Sequence, residues 1–249
     1  MSNWDLKNRI ALVTGGSRGI GAAISNELIS LGAEVIIVSR DPEITSVKSS
    51  DNLHKLAFNI GSRPEREKLV KKVKNLCNGK LDILINNAGT NIRKKSIDYT
   101  DEEYKTITET NLAAPFDLCK LLYPELKASG TASIVNISSV SGLTSTSSGV
   151  IYAMTKAALH QMTKYLAVEW APDNIRVNAI APWYINTELV KPVLSNLEAY
   201  DRILARTPNN RIGDPEDISG AAAFFCMDKA KHITGQILAI DGGFTSYGY

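Results

Sequence analysis

Tyr152 and Lys156 stand four residues apart in the stretch Ile151–Trp170. Its apolar spacing predicts a helix, so the two side chains share one face. A phenol near its ordinary pKa of about 10 is a poor proton carrier at neutral pH. A cation about 4 Å away contributes on the order of 4 kcal/mol at an effective dielectric near 20. At about 1.36 kcal/mol per unit, that lowers the phenol by up to about three units. Such a pair can serve as a general acid/base near neutrality. Alone it is weak evidence, because a Tyr and a Lys one turn apart occur in many helices.

Ser139 lies 13 residues before Tyr152, where the apolar run Ser133–Ile137 ends. In doubly wound sheets, ligands bind at the C-terminal ends of strands. There a hydroxyl could hold a substrate carbonyl. Taken alone, a serine in a loop such as Ser138–Gly149, with 8 Ser/Thr in 12 residues, is more often simply solvated.

A second constellation is Thr14-Gly15-Gly16-Ser17-Arg18-Gly19-Ile20-Gly21, between a predicted strand and a predicted helix. Glycines let the chain turn sharply and let a pyrophosphate reach bare amides, and the helix dipole favours the anion. No Lys-Ser/Thr pair follows, which disfavours a nucleoside-triphosphate loop.

The second strand ends Val38-Ser39-Arg40. An acid there usually accepts from a ribose 2′-hydroxyl and would repel a 2′-phosphate. Ser39 is not an acid, and Arg18 and Arg40 offer guanidinium groups suited to phosphate. This predicts NADP(H); the alternative is that Arg40 pairs with Asp41.

These groups need a scaffold. Ile10–Thr14, Val35–Ser39, Leu53–Phe58, Ile83–Asn86, Ser133–Ile137, Arg176–Ile180 and Gln236–Ile240 read as seven strands. Their nearly continuous apolar runs suggest burial on both faces. Gly19–Ser30, Pro64–Cys77, Asp101–Lys127, Ile151–Trp170 and Pro215–Met227 read as helices. The alternation predicts an α/β chain: one Rossmann-type doubly wound domain over residues 1–249, with about seven parallel strands and helices on both faces.

Length and composition agree with one large α/β domain. The 249 residues are 44% hydrophobic and 22% charged, which excludes a disordered, collagen-like or coiled-coil chain. A formal net charge of +2 offers no strong field for nucleic acid or an anionic membrane. Cys77, Cys119 and Cys226 are far apart, and the three His show no ligand spacing. No metal site and no disulfide framework are expected. Met1–Asp5 has no leader pattern, and no apolar run is long enough to span a membrane. The expectation is a soluble, cytoplasmic protein.

The glycine spacing resembles the short-chain dehydrogenase/reductase family. Asn86-Asn87-Ala88-Gly89 after the fourth strand, the series Asn111, Ser139, Tyr152 and Lys156, and Asp241-Gly242-Gly243 match it as well. Within the family the chain is most similar to tropinone-reductase-like members. That rests on Trp4-Asp5-Leu6, Asp98-Tyr99-Thr100, the run Asn136–Gly142 and Ala181-Pro182-Trp183-Tyr184-Ile185.

The resemblance implies reduction of a ketone to a secondary alcohol, or the reverse, by hydride transfer with nicotinamide. Tyr152 would move the proton and Ser139 would orient the oxygen. Lys156 would lower the Tyr152 pKa and hold the ribose, and Asn111 would place Lys156 through a water relay. The cofactor would lie along Gly15, Ser17, Arg18, Gly19, Ile20 and Gly21. It would continue past Ser39, Arg40, Asn59 and Ile60, then Asn87, Ala88 and Gly89, then Tyr152 and Lys156, and end at Pro182, Ile185 and Thr187. A mobile lid over about 186–210 would cover a small-molecule substrate walled by Ile92, Ser141, Leu143, Trp183, Tyr184, Leu189 and Val193. The resemblance also implies a homotetramer or homodimer.

Three departures stand out. Only 12 residues, Asp41 to Asn52, link the second and third strands, leaving room for one or two helical turns or none. Asn59-Ile60 replaces the usual acid and apolar pair beside adenine. Pro182-Trp183 replaces Pro-Gly, so Trp183 either walls the nicotinamide or packs into the core. Arg93-Lys94-Lys95 is either a solvated loop or a lure for an anionic substrate at the rim. Two other functions share the fold: a 3-oxoacyl-thioester reductase of fatty-acid synthesis, and a non-catalytic nicotinamide-sensing protein.

Overall fold

The computed structural model describes residues 4–248. Met1–Asn3, part of the stretch read as lacking a leader pattern, and Tyr249 lie outside the described residues.

Among the described residues seven strands form one parallel sheet: β1 (Ile10–Thr14), β2 (Glu34–Ser39), β3 (Leu53–Ala57), β4 (Ile83–Asn86), β5 (Ser133–Ile137), β6 (Arg176–Pro182) and β7 (Ile237–Ile240). Their order is β3-β2-β1-β4-β5-β6-β7. The chain winds one way from β1 to β3 and the other way from β4 to β7. A right-handed crossover rule then puts the two sets of connections on opposite faces.

The packing agrees. On one face, α1 (Gly19–Ser30) and α9 (Pro215–Cys226) lie against each other and share a core with Val13, Val35, Ile37 and Ile85. On the other, α2 (Arg63–Leu76), α4 (Ala114–Leu121) and α6 (Val150–Glu169) cover Leu12, Ile36, Leu84 and Ile134. Central strands with both faces covered need apolar side chains at successive positions, as Val35-Ile36-Ile37-Val38 supplies.

The long helix expected over Asp101–Lys127 is not continuous. It divides into α3 (Asp101–Thr108), a π turn (Glu109–Ala113), α4 and α5 (Tyr123–Ser129). Pro115 and Pro124 stand near the N-terminal ends of α4 and α5. Pro115 has no N–H to give the Asn111 carbonyl, so the α-helical ladder is interrupted there. Such single π turns often mark functional sites, and this one carries Asn111.

Arg66 of α2 locks the same region. It is 2% exposed, donates to the Ile60 carbonyl at 2.7 Å and pairs with Glu109 and Asp117 at 3.1 and 2.9 Å. One buried guanidinium thus ties the end of β3 to the π turn and α4.

The Asp41–Asn52 crossover contains no helix. It is pinned to the glycine turn instead. Ser46 N–H and the Thr45 hydroxyl both donate to the Ser17 carbonyl, at 2.9 and 3.1 Å. Lys48 N–H donates to Asn26 of α1 at 2.9 Å, and Val47 enters the core at 7% exposure. Over 186–210 lie two short helices, α7 (Lys191–Leu194) and α8 (Leu197–Ala205), anchored by buried Ile203 and Thr207. Among the described residues no helix is long and apolar enough to cross a membrane.

Candidate active site

A cleft of about 880 Å3 opens at the C-terminal ends of β1, β2, β4, β5 and β6. It lies where the strand order reverses, the position at which doubly wound sheets bind ligands. Thr14 and Asn87 bridge the gap between β1 and β4. The Thr14 hydroxyl accepts from Asn87 and Ala88 N–H at 2.9 and 3.1 Å. The Asn87 amide donates to the carbonyls of Thr14 and Gly15 at 2.9 and 3.1 Å.

The glycines are structural necessities here. A Cβ on Gly21 would lie 2.1 Å from the Gly15 carbonyl oxygen. Gly19, at φ +53°, sits under Thr187, where a Cβ would be crowded at 3.1 Å from Thr187 Cγ2. α1 starts at Gly19 with no side-chain cap from Arg18, so its first amides are open to an anion.

Each residue assigned above to the cofactor lines this cleft, from Gly15 to Thr187. Three observations show that the residues present fit a phosphorylated dinucleotide. The N-terminus of α1 is uncapped. The Ser39 hydroxyl is buried at the cleft wall without a hydrogen-bond partner. Arg18 and Arg40 line the cleft, are exposed, and among the described residues form no ion pair. Asn59 keeps its side-chain oxygen engaged with Gly61 N–H at 3.0 Å.

Beyond the glycine turn lies the proposed chemistry. Lys156 is buried at 4% exposure, and its Nζ donates to the Ile137 carbonyl at 2.8 Å. Loss of hydration holds the amine down to about 8. Its Nζ is 5.4 Å from the Tyr152 ring centre.

The Tyr152 phenol is pushed above its ordinary value, mainly by burial. A Ser139 hydrogen bond and the Arg93 charge act the other way, and Tyr184 adds to the rise. The expectation that Lys156 lowers Tyr152 is not realised in this structure. The amine is turned to a backbone carbonyl, and desolvation of the phenol dominates.

Asn111 is 1% exposed. It accepts from Thr90 N–H at 2.8 Å and donates to the Thr90 carbonyl at 2.9 Å and the Thr155 hydroxyl at 3.3 Å. Across Gly89 it faces Lys156: a Cβ on Gly89 would lie 3.5 Å from Asn111 Oδ1 and 3.8 Å from Lys156 Nζ.

Of the residues assigned to the substrate, Trp183 and Leu189 stand on the cleft wall. Trp183 also packs. It stacks on Phe244 at 3.8 Å, meets Tyr184 edge-on at 4.6 Å and donates to Thr207 at 3.1 Å. Trp183 thus packs against its neighbours and lines the cleft as well. Ile92, Ser141, Leu143, Tyr184 and Val193 lie off the cleft wall. Ser141 is buried in hydrogen bonds to other hydroxyls, and Leu143 is 48% exposed. In the basic run Lys94 pairs with Glu103 at 2.5 Å, whereas the Arg93 charge reaches Tyr152.

Sequence reasoning passed over Thr90 and Thr155, which hold Asn111, and Phe58, Thr110 and Ser138, which line the cleft. Thr155 stands directly before Lys156, and Thr90 directly after Asn-Ala-Gly. Neighbourhood to a motif was the available signal.

The family described as enoyl-(acyl carrier protein) reductase matches residues 15–245. A tropinone reductase homolog of Arabidopsis thaliana is 47% identical over 99% of this chain and 96% of its own length. One from Datura stramonium is 43% identical over 99% and 95%. Among solved structures, a gluconate 5-dehydrogenase from Burkholderia cenocepacia in complex with NADP and tartrate has a TM-score of 0.91. It is 28% identical and covers 99% of this chain and 98% of that one. The Pseudomonas aeruginosa RhlG/NADP complex has a TM-score of 0.89 at 30% identity, over 98% and 99%. A match that runs from the glycine turn past the last strand, with relatives this similar over nearly their whole length, means that the chain belongs to the short-chain dehydrogenase/reductase family.

Proposed function

We propose that this oxidoreductase uses NADP(H) to reduce a ketone to a secondary alcohol, or to run the reverse reaction, with Tyr152 as the general acid/base. The observation that carries this reading is the placement of Tyr152, Ser139 and Lys156 in the same cleft as the uncapped N-terminus of α1. When bound, the nicotinamide supplies or takes up the hydride. The protein orients, holds charge and moves the proton.

Burial keeps the Tyr152 phenol protonated at neutral pH, the state needed to donate to an oxygen gaining negative charge during reduction. Ser139 binds the same oxygen. Lys156, with a pKa of about 8, is mostly cationic at pH 7; turned from the Ile137 carbonyl towards Tyr152, it would stabilise the tyrosinate left behind. The 3-oxoacyl-thioester reading uses the same groups and differs in what enters the mouth of the cleft.

We place the protein in the cytoplasm, on its three buried free thiols; one Arabidopsis thaliana relative is named as chloroplastic. We also propose a homotetramer or homodimer built through α4 and α6. An apolar groove of about 430 Å3 lies there, lined by Leu112, Phe116, Met162 and Tyr165, and Tyr165 and Val168 are 66% and 78% exposed. Such a patch marks an interface. Sedimentation of the wild type is expected to show a dimer or tetramer that Tyr165→Asp disperses; a wild-type monomer at micromolar concentration contradicts the assembly.

Tyr152→Phe is expected to bind NADPH normally and lose at least about a hundredfold in kcat. Near-normal turnover would remove Tyr152 from its role. Arg40→Asp tests the cofactor. A guanidinium–phosphate bond contributes about 1.5–3 kcal/mol, so the kcat/KM preference for NADPH over NADH should fall by at least about tenfold. An unchanged ratio means that Arg40 is not the selector.

A further inference from the structure

Three hydroxyls meet behind Ser139, in the loop between β5 and α6. Ser139 Oγ donates to Ser141 Oγ at 3.1 Å and accepts from Ser141 N–H at 3.1 Å. Ser148 Oγ donates to Ser141 Oγ at 3.0 Å, and Thr146 Oγ1 donates to Ser148 Oγ at 2.9 Å. Ser141 and Thr146 are 2.8 Å apart. Thr146 has given its one proton to Ser148, so Ser141 is the donor, and a closed ring of three hydroxyls results.

The ring is fixed in place. Ser139 and Ser141 are each 8% exposed and Ser148 is 7% exposed. The Asn91 amide donates to the Ser148 carbonyl at 2.8 Å. Gly142 is pressed against His160, where a Cβ would lie 2.7 Å from Cε1.

Ser139 has a single proton, and two oxygens compete for it: Ser141 Oγ at 3.1 Å and the Tyr152 oxygen, to which Ser139 also hydrogen-bonds. A tyrosinate at position 152, or a substrate oxygen, needs that proton turned towards itself. Ser141 can release it at little cost only if another donor stays on its oxygen. Ser148 is that donor, and Thr146 holds Ser148 in line.

We infer that Ser141, Thr146 and Ser148 form a positioning ring that frees the Ser139 proton to serve the oxygen of Tyr152 or of the substrate. This rests on the reading of Tyr152 as the acid/base. The charged and titratable groups about Tyr152 are Lys156 on its own helix, Arg93 from the loop after β4 and Tyr184 after β6; His160 lies one turn beyond Lys156. None of them belongs to the ring.

The test uses Ser148→Ala and Thr146→Val, with Thr146→Ser as the conservative control. With the ring broken, Ser139 keeps its proton on Ser141 and the tyrosinate loses support. The pH midpoint of alcohol oxidation by kcat is expected to move up by about 0.5–1 unit in both variants, with NADPH affinity unchanged, and Thr146→Ser restores the wild-type midpoint. Tyr152 is also titrated without substrate, by tyrosinate absorbance of each protein minus that of its Tyr152→Phe counterpart. The same upward displacement is expected. If Ser148→Ala does not fold, Thr146→Val carries the test. Unchanged midpoints in a folded variant, or a Thr146→Ser protein that behaves like Thr146→Val, overturn the ring. A displaced Tyr152 titration in a protein that turns over no ketone or alcohol supports the ring and removes the catalytic reading instead.

Discussion

The reversal of strand order between β1 and β4 is the constraint on which the site depends. Two parallel strands that send their connections to opposite faces leave a crevice at their C-terminal ends. Here that crevice is held by one hydroxyl and one amide, Thr14 and Asn87, bonded across it. The glycine turn can sit there only because Gly21 lets α1 come within contact of the Gly15 carbonyl. Everything that follows is placed from that edge: the uncapped helix, Ser39 and Arg40 at the end of β2, and Ser139 beyond β5.

A second layer is electrostatic. Burial acts on Tyr152 and Lys156 in opposite senses, raising the phenol and lowering the amine. The two values, close together in water, are driven apart, so the Lys–Tyr pair is tuned less by mutual attraction than by shared loss of water. The Ile137 carbonyl keeps the ammonium satisfied in this state. Asn111 does not touch Lys156 directly among the described hydrogen bonds; it stiffens Thr90 and Thr155 on either side of it.

Much of this was legible in the sequence, for physical reasons. The buried parallel strands show as apolar runs, and β1, β4 and β5 end where those runs end. The glycine turn has one stereochemical purpose, so its spacing is informative. Other features were not legible. Helical periodicity runs unbroken through Asp101–Lys127, but Pro115 interrupts the hydrogen-bond ladder and creates the π turn. The short crossover could not reveal that it folds onto Ser17, because that contact depends on two segments about 28 residues apart. Composition marks Ser138–Gly149 as rich in hydroxyls without saying which of them meet. Trp183 both packs and lines the cleft because an indole is large enough to stack on Phe244 and still reach the cleft wall.

The most direct test of the account is nicotinamide absorbance followed with the wild-type protein. NADPH and NADH would each be offered with bicyclic, aliphatic, aryl and sugar ketones and 3-oxoacyl thioesters. The account predicts consumption of NADPH, well ahead of NADH, with at least one class of neutral ketone. NADPH that binds yet is consumed with none of these carbonyls would contradict it and leave a nicotinamide-binding protein without the proposed reaction.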